Sequence, residues 1–218
     1  TLLYSFTNKT MIRNDFDVVG LKNYIDILTD GDFYSAFGHT LLWTLFSVLG
    51  QLIVGFIGAL ALNRVQNKVA KNLFRIFAII PWAFPAIATA MTWKWLLNGI
   101  HGFVPTLLRD LGITPELIQF LSDKNLVLPT LIFINIWFGA PLILVNVYAA
   151  LQTIPQDQYE AAQIDGASSW QSFRYVTAPH IRTVVGLLVV LRTVWVFNNF
   201  DIIYMITGGG PAGASSTM

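Results

Sequence analysis

The sequence predicts an all-α fold, a polytopic membrane helix bundle. Three observations carry that class. First, 55% of the 218 residues are hydrophobic and only 11% are charged, against about 25% charged in soluble domains. Second, Thr40 to Asn63, Ile76 to Trp93 and Asn125 to Gln156 contain no charged residue, and each reaches the roughly 18 to 20 apolar residues that cross a bilayer. Third, a polar run from Tyr159 to Ala167, followed by Ala178-Pro179, interrupts the apolar pattern as a helix-turn-helix elbow.

Taken in order, Thr1 to Phe6 are expected to finish an earlier helix, and Thr7 to Gly38 to lie at the membrane surface. Four complete spans follow, over about 40–63, 73–97, 126–151 and 183–206, with the elbow loop over 152–182, all in one membrane domain. In the first span Gly55 and Ala59 stand four apart, a spacing of small residues that lets helices approach closely in lipid. In the second, Pro81 and Pro85 release backbone carbonyls from helical bonding. Such irregular backbone at depth has to face protein or a wet cavity. The third contains Pro141, and the fourth carries Arg192 and Asp201.

The connection after the first span holds Arg64, Lys68, Lys71 and Arg75 and no acidic residue, which places it in the cytoplasm by the positive-inside rule. Parity then puts the elbow inside and the Gly208 to Gly210 loop outside. The net charge of +1 gives no reason to expect a nucleic-acid partner, and the absence of Cys excludes disulfides and thiolate chemistry.

Within the elbow, Pro155 suits a first helical position and Gly166 the left-handed residue that ends a helix. Ser168 or Ser169 can cap a second short helix, which Pro179 is expected to stop. The pair would expose Glu160 and the small face of Ala161 and Ala162. The same residue types also suit an ordinary amphipathic loop helix.

The spacing Glu-Ala-Ala, three residues, Gly, nine residues, then Val-x-Ala-Pro is filled by Glu160, Ala161, Ala162, Gly166, Val176, Ala178 and Pro179. It resembles the EAA loop of ABC-importer permeases. Leu151 to Pro155 and Thr207 to Pro211 are similar to the carbohydrate-importing branch, the maltose-type permeases. Val176 and Ala178 stand where that family more often has Ile and Leu. The resemblance implies a permease of six core helices in a bacterial or archaeal cytoplasmic (inner) membrane, with one helix before Thr1 and another beyond Met218. It further implies a cytoplasmic helix-turn-helix coupling loop in which Glu160, Ala161, Ala162 and Gly166 engage a partner ATPase. Partners would be a second homologous permease, a cytoplasmic ATPase dimer that binds ATP and Mg, an extracytoplasmic solute-binding protein and membrane lipid.

Three spans place polar and aromatic groups on single helical faces: Trp82, Ala86, Thr89 and Trp93; Asn135, Phe138, Gly139, Leu142 and Asn146; and Arg192, Trp195 and Asn199. Neutral amides with aromatic rings suit sugar hydroxyls and ring faces. Interhelical hydrogen bonding is the competing role for each Asn. By resemblance, Trp82, Ala86, Asn135, Phe138, Gly139, Trp195 and Asn199 match positions where the family contacts sugar. Trp82 and Ala86 stand where the maltose permease has smaller or more polar groups. Two roles fit Arg192, an intramembrane charge: support of an acidic sugar, or a pair with a carboxylate of the companion permease.

Gly208 to Gly213 satisfies G-x-G-x-x-G, and Gly208 to Ser215 resembles a phosphate loop with Ala214 where its Lys belongs. Neither follows a predicted strand, so the stretch reads as a flexible outer loop and no ATP site, cofactor, metal or catalytic residue is expected in this chain. His39, His101 and His180 fall in separate segments. The resemblance implies a non-enzymatic permease subunit of an ATP-driven importer, carrying an oligosaccharide or disaccharide by alternating access. A polyol, sugar acid or phosphorylated alcohol is the alternative cargo. An ion-coupled secondary transporter would need inverted repeats and midplane acids, which the sequence does not offer.

Overall fold

The computed structural model describes residues 2–9 and 16–217, and helices fill most of them. Leu2–Phe6, expected to finish an earlier helix, forms a 3-10 turn. The Asn23 amide holds it by donating to the Ser5 and Thr7 carbonyls at 2.9 and 3.0 Å. α1 (Lys22–Thr29) leads to α2 (Gly31–Arg64) through Asp30, whose carboxylate accepts from the Asp32 N–H at 2.9 Å. That N-cap satisfies an otherwise orphaned donor. It starts α2 well before Thr40, so residues 31–38 of the expected surface segment belong to the long helix.

Asn67 caps α3 (Lys68–Ala83), accepting from the Val69 and Ala70 N–H groups at 2.9 and 3.1 Å. The expected second span then breaks. α4 (Ala86–Leu96) leaves α3 at 94°, because Phe84 is extended (ψ 142°) ahead of Pro85; proline forces its predecessor out of the helical region. Pro81, by contrast, stays inside α3.

α5 (Phe103–Asp110) lies in the following loop, and α6 (Val127–Gln152) is unbroken through Pro141. α7 (Gln156–Ile164) and α8 (Ser169–Ser172) form the elbow. A π-helical turn, Phe173–Thr177, joins α8 to α9 (Ala178–Phe197). Pro179 therefore does not stop the second helix as expected. It sits in the first turn of α9 beside the π turn, where a missing N–H is best tolerated. The expected fourth span divides as well: Asn198 to Phe200 separate α9 from α10 (Asp201–Thr207), and the Asn198 amide takes the Val194 carbonyl at 2.8 Å.

Gly31–Arg64, Val127–Gln152 and the continuous Ser169–Phe197 are long and apolar enough to cross a membrane, and α3 with α4 passes the same test as a bent pair. Leu45, Ile53, Ile57, Leu187 and Val190 point outward, the arrangement of a bundle whose solvent is hydrocarbon. Inside, α2 packs along α6, and both touch α9. Ala59, Ile143, Val147, Leu151, Ile181 and Leu188 fill one end of this core; Trp43, Leu131, Ile134, Val196, Ile202 and Ile206 fill the other. The buried Trp43 indole donates to the Val196 carbonyl at 3.1 Å, tying α2 to α9.

The α2–α6 seam is tight at Gly55, where a Cβ would stand 2.8 Å from the Ala140 carbonyl oxygen. Gly55→Leu should therefore overpack the seam at a cost of about 1–3 kcal/mol and lower the melting temperature of the detergent-solubilised protein. At Gly186 a Cβ meets nothing within 4 Å, so Gly186→Ala should stay within about 1 kcal/mol of the parent. Equal melting of the two variants would contradict the close seam.

Candidate functional site

The polar centre of the bundle is built by α2, α6 and α9. Arg192 is 6% exposed and its Nε–H donates to Gln51 Oε1 at 2.7 Å. The fully buried Gln51 in turn donates through Nε2 to the main-chain carbonyl of Asn135 at 3.0 Å. Gly139 makes room for both: a Cβ there would collide with the Arg192 guanidinium and the Gln51 amide. The guanidinium carbon lies 5.8 Å from the centre of the Trp195 ring, within cation–π range. Among the described residues Arg109–Asp110 is the sole ion pair, so no carboxylate of those residues neutralises Arg192.

Asn135 is fully buried beside this centre, and neither of its amide atoms has a hydrogen-bond partner among the described residues. Phe138 packs, half-buried, against the Trp43 cluster. Trp195 is half exposed, and Asn199 sits half-buried in the break between α9 and α10. Ala86 opens α4 and joins the same cluster, while Trp93 meets Phe133 and Trp137 edge-on at 5.9 and 5.5 Å. Trp82 lies on the other arm of the 94° bend, so the single face expected to hold it with Ala86, Thr89 and Trp93 does not form. The structure thus gathers Asn135, Gly139, Arg192 and Trp195 around Gln51. Asn146 bonds its own helix, donating to the Leu142 carbonyl at 2.8 Å.

Gln51 was not anticipated from sequence. Its one signal there is that it is the sole carboxamide between Thr40 and Leu62.

The elbow is defined residue by residue. Pro155 is the N-cap of α7, one position before the first helical position expected for it. At the other end Gly166 has φ +76°. Its N–H donates to the Gln163 carbonyl at 3.0 Å, and that of Ala167 to the Ala162 carbonyl at 2.9 Å, the paired bonds of a Schellman ending. Ser168 and Gln171 then close a capping box, with bonds of 3.3 and 2.7 Å. Tyr159 and Thr177 hydroxyls, 2.9 Å apart, brace α7 against the π turn. Glu160 and Ala161 are exposed and Ala162 is half-buried; Ile164, Trp170 and Tyr175 present large apolar surface around them. A cleft of about 600 Å³ lies between the elbow and the end of α2, lined by Leu60, Asn63, Tyr159, Gln163, Trp170 and Phe173.

The Gly208–Gly210 loop is tied, not flexible as expected: Thr207 and Ser215 hydroxyls meet at 2.8 Å, Ser215 is buried, and His39 Nδ1 stands 3.3 Å from the Ser216 carbonyl. His180 Nδ1 lies 2.9 Å from the Val176 carbonyl. The described residues contain no group of three metal-ligating side chains.

Residues 51–217 match the family described as binding-protein-dependent transport system inner membrane component. The trehalose/maltose transport system permease protein MalF of Thermococcus litoralis is 35% identical over 200 residues, covering 92% of this chain and 66% of that protein. The maltodextrin transport system permease protein MalC of Streptococcus pneumoniae is 36% identical over 237 residues, covering 100% of this chain and 54% of that one. The chain thus spans between about half and two-thirds of the length of these curated relatives. A solved bacterial ABC transporter involved in the import of the acidic polysaccharide alginate shares the fold, with a TM-score of 0.81 and 24% identity over 90% of this chain and 68% of the other. With the family match running from Gln51 in α2 to Thr217, beyond the Gly-rich turn, this chain belongs to the binding-protein-dependent transport system inner membrane components.

Proposed function

We propose that this chain is a membrane-spanning permease subunit of an ATP-binding-cassette importer, and that its cargo is a carbohydrate carried by alternating access. The observation that carries this reading is the elbow. Its α8 runs without interruption into the membrane-length helix Ser169–Phe197, and the exposed α7 is braced to the same helix through the Tyr159–Thr177 hydroxyl contact, so a push on the elbow displaces α9. Two cytoplasmic ATPase subunits would supply that push with ATP and Mg. A second homologous permease would complete the pathway, and an extracytoplasmic solute-binding protein would deliver the cargo. The relatives named for trehalose, maltose and maltodextrin support a disaccharide or oligosaccharide. In this reading the basic Arg64 to Arg75 connection and the elbow face the cytoplasm of a bacterial or archaeal cell.

Asn135 supports the pathway reading. Its buried amide has no partner among the described residues, which costs about 1–3 kcal/mol, a cost that makes sense if solute meets it in another conformation of the cycle. Trp195, Asn199, Phe138, Gly139, Ala86 and Trp82 are the further proposed contacts. In a reconstituted importer, Asn135→Ala should melt within about 1 kcal/mol of the parent, since no side-chain bond among the described residues is lost, yet transport about tenfold less sugar per assembled complex. Asn199→Ala should act in the same direction. Uptake that falls only as far as assembly falls would reduce both residues to packing.

The elbow is tested at Gly166, where φ +76° strains any β-branched side chain although space is open around it. Gly166→Val should leave membrane insertion intact, weaken binding of the ATPase subunits and depress uptake. A Gly166→Val permease that holds its ATPase and transports normally would remove the elbow from the mechanism.

A further inference from the structure

Arg192 places a full charge inside an apolar bundle, and its single hydrogen-bond partner among the described residues is Gln51. Gln51 meets two demands at once, an acceptor for the guanidinium and a donor for the α6 main chain. Both contacts fit because residue 139 has no side chain. The same Arg192 stands on the continuous helix Ser169–Phe197 that starts at the elbow. At 1.5 Å per residue it lies about 35 Å along that rod from Ser169. Beyond the breaks, α4 and α10 pack on each other, with Lys94 Nζ 3.5 Å from the Met205 carbonyl.

We infer that Gln51 is a positioning residue of the transport cycle: by holding the Arg192 guanidinium and the Asn135 carbonyl together, it fastens α2 and α6 to the elbow-driven α9. The three helices then move as one body relative to α4. This rests on the importer reading above. A polar lock suits such a joint because its bonds have one geometry, whereas apolar surfaces slide with little penalty in lipid. Coupling between distant sites can be carried by packed side chains, hydrogen bonds and rigid elements of this kind.

The test uses the full complex of both permeases and the ATPase in lipid, with spin labels on cysteines introduced into this Cys-free chain. One pair, Leu41→Cys with Thr183→Cys, spans α2 and α9; a second, Ile87→Cys with Thr183→Cys, spans α4 and α9. Distances are measured without nucleotide and after trapping with ATP and vanadate. In the parent the α2–α9 distance should not shift between states while the α4–α9 distance does. Replacing the lock by Gln51→Met with Arg192→Met leaves no orphaned charge, so assembly should persist, but the α2–α9 distance should acquire a second, nucleotide-dependent population. Gln51→Glu retains the acceptor for Arg192, though not the donor to α6, and should keep the α2–α9 distance single. Should the Met pair not assemble, Gln51→Asn, one methylene too short to bridge, takes its place against Gln51→Glu. A parent-like single distance in the unlocked variant overturns the lock and leaves the importer reading standing. Absence of any ATP-dependent shift in the parent α4–α9 pair overturns both.

Discussion

A guanidinium inside an apolar bundle is the constraint on which the rest of this structure depends. Removing such a charge from water costs several kcal/mol unless bonds replace the water, and the replacement has to come from a helix that can approach closely. α2 supplies Gln51, and it reaches Arg192 only because Gly139 clears the space between them. Gly55 lets α2 lie against the α6 backbone one turn further along, and Trp43 fixes α9 to α2 near the far end of the bundle. Sequence positions from 43 to 196 are thus set in register by a few polar atoms within an otherwise greasy contact.

The second organising feature is the pair of interruptions. One is made by Pro85 acting on Phe84, the other by consecutive asparagines at 198 and 199. The segments that continue past the two breaks, α4 and α10, pack together, and this pair closes one end of the α2, α6 and α9 body through Ala90, Ile202 and Ile206, with Trp93 against Phe133 and Trp137 of α6. Helix breaks in lipid need protein or water against the freed backbone. Asn199 and the half-exposed Trp195 border one of them, which is where a pathway for a hydroxyl-rich solute would find donors and a ring face.

Much of this was legible in the sequence, for identifiable reasons. Unbroken apolar runs fix helices almost by themselves in a membrane, so α6 falls within a residue of its expected bounds. Gly166 and Ser168 behave as local signals should, since a Schellman ending and a capping box involve only near neighbours. Proline was the less reliable guide. Pro85 announces irregular backbone but not a 94° bend, and Pro179 reads as a stop in the sequence because the π turn that accommodates it has no composition of its own. Gln51 was invisible because its partner is 141 residues away. Asn135 was placed on the correct helix, but its complete burial depends on how α2 and α9 close over it, which no single-helix face can reveal.

The most direct measurement is a double-mutant cycle on the melting free energy of the assembled complex, using Gln51→Leu, Arg192→Met and their combination. If Gln51 is the partner that makes the buried charge tolerable, the two changes are strongly non-additive. The combination should then be more stable than the sum of the single losses by about 1–3 kcal/mol, the worth of a hydrogen bond to a charged group and of the orphaned partner it leaves. Additivity within about 0.5 kcal/mol would mean that Arg192 and Gln51 do not depend on each other, and that the register of α2, α6 and α9 is held by apolar packing alone.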